Sequence, residues 1–182
     1  MSRRLAVALV HFPVLDKEGG IITSTLTNLD VHDLARSSRT YGCDEYFVVH
    51  PVEAQRALAE KIVTHWTSGS SAQRIPDRKD ALAIVRPVPM LADAVAALGP
   101  GTETWITSAR EVGTSLSWSD ARAKLAGDGP PVLLVFGTSW GLAPEVTSKA
   151  DAILAPIVGV GEWNHLSVRA ACAIALDRLR GT

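Results

Sequence analysis

Cysteine is scarce: two residues, Cys43 and Cys172, are too few for a disulfide framework or a cysteine-based zinc site. Aromatic residues make up 5% of the 182 residues, yet five of the ten are tryptophan. No apolar run reaches the ~18–20 residues of a membrane span. Neither sign of charge dominates, since the formal net charge is −1. A nucleic-acid partner would therefore have to be met by a local patch. Also missing are HExxH, clustered Cys/His metal ligands and a Gly-Lys-Ser/Thr phosphate loop. No metal site is expected. Repeats, low-complexity tracts and long linkers are absent too, so one domain over residues 1–182 is expected. The basic-then-apolar start through Phe12 is too short and too quickly followed by charges for a signal peptide. It is read as a first strand, in a cytoplasmic protein with no membrane partner.

What is present is alternation. Arg4 to Phe12 is a nearly continuous apolar run, as expected of a buried parallel strand. Pro13 to Gly20 is read as loop. A polar-faced helix over 27–41 ends against Gly42, with Arg36 and Arg39 in its last turns. Strands are expected at Glu45–His50, Val85–Val88, Glu103–Thr107 and the run from Pro131 to Phe136. Helices are expected at Val52–Trp66, Asp77–Ile84, Met90–Leu98 and Ser117–Ala126, where Ser117 and Asp120 approximate a capping box. Ser68 to Ala72 is read as a flexible surface connection. The pattern predicts an α/β fold with a mostly parallel sheet of five or six strands and helices on both faces.

The last fifty residues organise the rest. Leu133-Leu-Val-Phe-Gly-Thr-Ser-Trp-Gly-Leu142 is an apolar strand ending in glycines. Asp151 to Gly161 repeats that form, and an alanine-rich helix follows within Glu162–Leu179. Glycines at the carboxyl ends of parallel strands are where a ligand approaches bare backbone. A tight strand-to-helix turn would explain one such loop; two neighbouring ones suggest a cofactor pocket. On the 27–41 helix, Asp33 with Arg36 and Arg36 with Thr40 are helical neighbours. They form either a solvated face with weak ion pairs or an arginine-bearing surface that grips phosphate or ribose. His11 and His50 each end a strand and are expected to line one sheet edge.

Three segments in order resemble the SPOUT class of RNA methyltransferases. They are Asn28 to Gly42 with Arg36 six residues before the glycine, Leu133 to Leu142, and Ala155-Pro-Ile-Val-Gly-Val-Gly161 with Asn164-His-Leu-Ser-Val-Arg-Ala-Ala171. The wording Asn-Leu-Asp-x-His-Asp-x-Ala-Arg also resembles a bacterial subgroup found alone or fused to tRNA guanine-N1 methyltransferases. The resemblance implies a C-terminal deep trefoil knot and S-adenosylmethionine as cofactor. It implies cofactor contacts at Thr107, Gly137, Gly141, Leu142, Ile157, Gly159, Gly161, Asn164, Leu166 and Val168. It further implies catalytic roles for Arg36 and Asp33, with His32 a further candidate base, and RNA contacts at Arg36, Arg39, Arg3 and Arg4. Arg74, Arg78 and Lys79 would extend that patch. A homodimer acting on tRNA or rRNA, with Arg36 contributed across the interface, completes the expectation. In one respect the chain departs from the ribose-methylating branch, whose glycine loop usually carries a Glu and is one residue longer; here Gly137-Thr-Ser-Trp-Gly141 has no acid, and base methylation stays open. Two other readings are a non-catalytic RNA-binding domain and a flavodoxin-like nucleotide-binding protein.

Overall fold

A computed structural model describes residues 2–182. The central strand is β1 (Leu5–Val10), every residue of which is buried. Alternation along it feeds two cores. Leu5, Val7 and Leu9 face one layer, and Ala6, Ala8 and Val10 the other. Strands β4 (Tyr46–Val49) and β5 (Val85–Val88) extend the sheet on one side of β1. On the other side lie β7 (Val132–Gly137), β6 (Glu103–Ile106) and β8 (Ala152–Ile153). The order is β5-β4-β1-β7-β6-β8, six strands, every pairing parallel.

The first core layer receives α1 (Asn28–Thr40), α2 (Glu53–Thr67), α4 (Pro76–Leu82), α6 (Trp118–Ala126) and α8 (Val168–Arg180). The second receives α5 (Leu91–Leu98) and the short α7 (Pro144–Thr147). Helices on both faces are what a doubly covered parallel sheet requires. No helix among the described residues is long and apolar enough to cross a membrane.

Three local differences from expectation have physical causes. Within Pro13–Gly20 and beyond it, Val14–Leu15 (β2) pairs antiparallel with Ile21–Ile22 (β3). That hairpin is held by partners far along the chain: Leu15 N–H donates to the Gly141 carbonyl (2.9 Å) and Trp140 N–H to the Leu15 carbonyl (3.0 Å). The Ser68–Ala72 connection is instead mostly helical, α3 (Gly69–Arg74), because Ser71 and Ala72 are buried and Ser71 Oγ meets His65 Nε2 at 3.2 Å. The expected strand after Asp151 stops at Ile153. Leu154 bridges Leu116, and Pro156, which has no N–H, follows as the chain leaves the sheet edge.

Candidate functional site

Helix α1 is fixed at both ends by its own sequence. The Thr27 side chain accepts the Asp30 N–H (3.2 Å) and donates its hydroxyl to Asp30 Oδ2 (2.6 Å). After Tyr41, Gly42 takes φ +66°, the left-handed conformation that ends a helix. This frame presents Arg36 and Arg39 to solvent. Arg36 Nη1 lies 3.9 Å from Asp33 Oδ1, so the pairing is a loose surface contact. His32 is half-buried edge-on to Trp66, with 5.6 Å between ring centroids. Burial first, then the Arg78 charge, lowers its pKa below the usual histidine value.

The expected cofactor residues sit at the carboxyl edge of the sheet. Thr107 directly follows β6, and both its N–H and its hydroxyl donate to the Val135 carbonyl at 3.1 Å. Gly137 ends β7, and the loop folds back at once. A Cβ on Gly137 would stand 2.8 Å from the Leu142 nitrogen and 2.9 Å from its Cγ. Gly137 is therefore required by the turn's own packing, which is the tight-turn reading of this loop. Ser139 (φ +53°) and Gly141 (φ +108°) complete that turn in left-handed conformations.

The last loop behaves differently. Ile157, Gly159, Asn164 and Leu166 line a cleft of about 340 Å³, closed on one side by Ile174 and Arg178 of α8. Gly161 has φ +80°, which the backbone itself demands. Gly159 has no such φ, and a Cβ there would meet only the Trp163 carbonyl oxygen at an ordinary 3.7 Å. Among the described residues, neither a close contact nor a left-handed φ accounts for a glycine at position 159. Asn164 Nδ2 donates to the Ala109 carbonyl (3.4 Å), tying this loop to the one after β6. Val168 opens α8, which starts only after Ser167 caps the Ala170 N–H (3.2 Å); Glu162 to Leu166 are loop, not helix. Thr107, Gly137, Gly141 and Leu142 are not among the residues that line this cleft. A wider depression of about 490 Å³ runs along α2, lined by Ala57, Glu60, Lys61, Thr64 and His65. One helix supplies all of those residues, so it encloses nothing.

Between the hairpin and the glycine loop lies a buried polar chain that the sequence only hinted at. His11 and His50 do share one sheet edge, with ring centroids 5.1 Å apart. Thr138 Oγ1 donates to the Val10 carbonyl (3.2 Å), so its 2.5 Å contact with Ser24 Oγ uses the Ser24 proton. His11 Nδ1–H must then donate to Ser24 Oγ (2.8 Å), leaving Nε2 buried and without a hydrogen-bond partner. Burial, reinforced by the neighbouring His50, lowers the His11 pKa to about 4. His50 donates from Nε2 to the Ser24 carbonyl (3.0 Å) and accepts the Val52 N–H at Nδ1 (3.2 Å). Among the described residues, no three His, Cys, Asp or Glu side chains gather as metal ligands.

The expected RNA-contacting set is split. Arg3 is buried, ion-paired with Glu103 at 2.8 Å and donating to the Pro130 carbonyl at 2.7 Å. Arg4 pairs with Asp44 at 2.9 Å. Both precede β1, at the amino end of a six-residue strand and so roughly 20 Å from the carboxyl edge. Both lie at the end of the sheet away from the glycine loops, the end that α1 also reaches at Gly42, where Arg180 donates to the Gly42 and Arg3 carbonyls; Arg36 and Arg39 are exposed on α1. The residue missed altogether is Arg169. Its Nη1 lies 2.7 Å from Asp30 Oδ1, and its Nε 3.7 Å from Asp33 Oδ2. An arginine interrupting an alanine-rich helix was the available signal.

Comparison with known proteins converges on the same chemistry. Residues 4–181 match the family described as SAM-dependent RNA methyltransferase. Two proteins named tRNA (guanine-N(1)-)-methyltransferase, from Oleidesulfovibrio alaskensis and Nitratidesulfovibrio vulgaris, are 42% and 45% identical over 99% of this chain. The chain spans 43% of the length of each. An uncharacterized protein of Aquifex aeolicus is 35% identical over 98% of this chain and 89% of its own length. Among solved structures, TrmJ from Z. mobilis has a TM-score of 0.64 at 19% identity, covering 96% of this chain and 68% of that one. The A. aeolicus TrmH/SpoU tRNA modifying enzyme has a TM-score of 0.60 at 15% identity, covering 98% and 76%. A parallel sheet of this order, with glycine loops at its carboxyl edge and a family match over nearly its whole length, leaves one assignment: the chain belongs to the SAM-dependent RNA methyltransferase family, with a SPOUT-type fold.

Proposed function

We propose that this chain transfers a methyl group from S-adenosylmethionine to a nucleotide of tRNA, working as a homodimer in the cytoplasm. The observation that carries the reading is the cleft at Ile157–Leu166, whose wall includes backbone at Gly159 that the protein's own packing leaves bare. Supporting tRNA over rRNA are the names of the two relatives from Oleidesulfovibrio and Nitratidesulfovibrio.

Ile157, Gly159, Gly161, Asn164 and Leu166 would hold the cofactor, with Thr107 and Gly137–Leu142, outside the cleft's lining, as further contacts from the ends of β6 and β7. When bound, the cofactor supplies an electrophilic methyl group on a sulfonium. The chain's own part is positioning and exclusion of water, which can supply up to ~7–11 kcal/mol. Arg36 grips and orients the RNA backbone, as a guanidinium does bidentately. Asp33 orients Arg36, and Arg39 adds a phosphate contact.

The C-terminal segment is read as threaded into a trefoil knot. In support, Leu116 N–H donates to the Ile153 carbonyl (2.7 Å) and Ala155 N–H to the Leu116 carbonyl (2.9 Å). The chain after β8 thus lies alongside the connection that follows β6, and α8 packs on α1 and α6. The homodimer is supported by apolar side chains left in solvent beside the cleft, Val160 fully and Trp163 to 80%.

The test is tritium transfer from labelled S-adenosylmethionine to tRNA and rRNA purified from a strain lacking the gene. Label in tRNA alone is expected. Label in rRNA alone would overturn the substrate, and RNA binding with no transfer would point to a non-catalytic domain.

A further inference from the structure

Helix α8 begins where the cofactor loop ends, and α1 carries Arg36. One side chain spans the two. Arg169, the second residue of α8, is one-third exposed; its partner Asp30 is buried, with 8% of its side chain in solvent. Asp30 is held on three sides: by the 2.7 Å contact to Arg169, by the Thr27 hydroxyl at 2.6 Å, and by its place in the first turn of α1. The same guanidinium reaches Asp33 at 3.7 Å, and Asp33 reaches Arg36 at 3.9 Å. The link is firm at its buried end and loose at its exposed end. A second α1–α8 contact, Tyr41 OH to Asp177 Oδ1 at 3.0 Å, fixes the far end of the helix pair. The head of α8 is thus tied to α1 through Arg169, directly after the loop that lines the cleft.

We propose that Arg169 is a positioning residue that couples occupation of the cofactor cleft to the orientation of Arg36, through Asp30 and Asp33. Residues 158–167 are exposed and stand between the cleft and Arg169. A ligand that orders this loop fixes the head of α8. Arg169 then holds Asp33, and Asp33 holds Arg36, in the arrangement that receives RNA. Linkage makes the effect reciprocal: RNA on Arg36 must tighten the cofactor by the same factor. The inference rests on the methyltransferase reading and adds an order to it, with cofactor occupancy preparing the RNA surface.

The experiment measures the dissociation constant of bulk bacterial tRNA, by fluorescence anisotropy, with and without saturating S-adenosylhomocysteine, for the whole protein. Calorimetry first establishes that S-adenosylhomocysteine binds. The unsubstituted protein is expected to bind tRNA about fivefold or more tightly with the cofactor product present, the lower range of ordinary coupling. Arg169→Met is expected to bring that ratio to about one while leaving the affinity for S-adenosylhomocysteine alone unchanged. Arg169→Lys, which keeps charge but not the two-pronged geometry, is expected to retain part of it. Asp33→Asn, on an exposed side chain, breaks the same link from its other end and keeps the test open if Arg169→Met fails to fold. A ratio of one in the unsubstituted protein, or an undiminished ratio in both Arg169→Met and Asp33→Asn, would overturn the coupling. Failure to bind S-adenosylhomocysteine at all is a different result, and overturns the methyltransferase reading itself.

Discussion

At the residue scale, two glycines of similar appearance in the sequence have different reasons to exist. A methyl group at Gly137 collides with the Leu142 backbone, so Gly137→Ala is expected to destabilise the fold by ~1–3 kcal/mol. At Gly159 a side chain meets no close atom and no left-handed backbone. Gly159→Val is expected to leave stability within about 0.5 kcal/mol of the parent in urea unfolding, while weakening S-adenosylmethionine at least tenfold. Equal effects at both positions would count against the cleft. Arg36 makes only a loose contact within the chain, so Arg36→Lys is expected to fold normally and lose ~100-fold or more in transfer rate, read in single turnover. His11 supplies a pH signature. Its pKa is lowered in the fold to about 4, from 6.5. Between those values the unfolded chain binds the proton and the folded chain does not, so stability rises with pH through this window. The loss on acidifying from above 6.5 to below 4 is about 3 kcal/mol from this group, and the lowered pKa values of His50 and His32 act in the same direction. His11→Asn is expected to flatten the slope of stability against pH.

At the scale of elements, the alternation of apolar runs and polar-faced helices was legible because a parallel sheet buried on both faces writes its strands as unbroken Val/Leu/Ala runs. Leu5–Val10 and Val132–Gly137 are such runs, and they are the two strands that pair at the centre. What escaped was whatever depends on distant partners. The β2–β3 hairpin is held by residues 140–142, and Gly69–Arg74 is helical because Ser71 and Ala72 find burial. Asp30 was legible only as one of many polar residues on its helix. Its weight comes from Arg169, 139 positions away. Asp30→Ala removes one partner of a largely buried pair and is expected to cost about 2–3 kcal/mol, measured as a shifted denaturation midpoint at constant slope. Ser167→Ala, which removes the cap where loop becomes α8, is expected to cost about 1 kcal/mol.

At the scale of the whole molecule, the cleft and the exposed arginines are borne by the two helices of one packed pair, α8 and α1. The carboxyl edge of the sheet holds the cleft, and α1 holds the exposed arginines. The loop Ile157–Leu166, which lines the cleft, was legible as a glycine-bearing loop from its glycines and apolar approach. The burial of Arg3 against Glu103 was not, because a basic N-terminus looks the same in sequence whichever end of the sheet it reaches. The apolar side chains around Trp163 predict a dimer, checked by sedimentation equilibrium at twice the chain's mass. Trp163→Glu is expected to shift that equilibrium toward the monomer. The central claim, a cofactor held on bare backbone at residues 157–166, is tested most directly by titrating the protein with S-adenosylmethionine in a calorimeter. The account predicts one site per chain with a dissociation constant in the micromolar range, abolished in Gly159→Val. An absence of binding heat at about millimolar ligand, or undiminished binding by Gly159→Val, would contradict it.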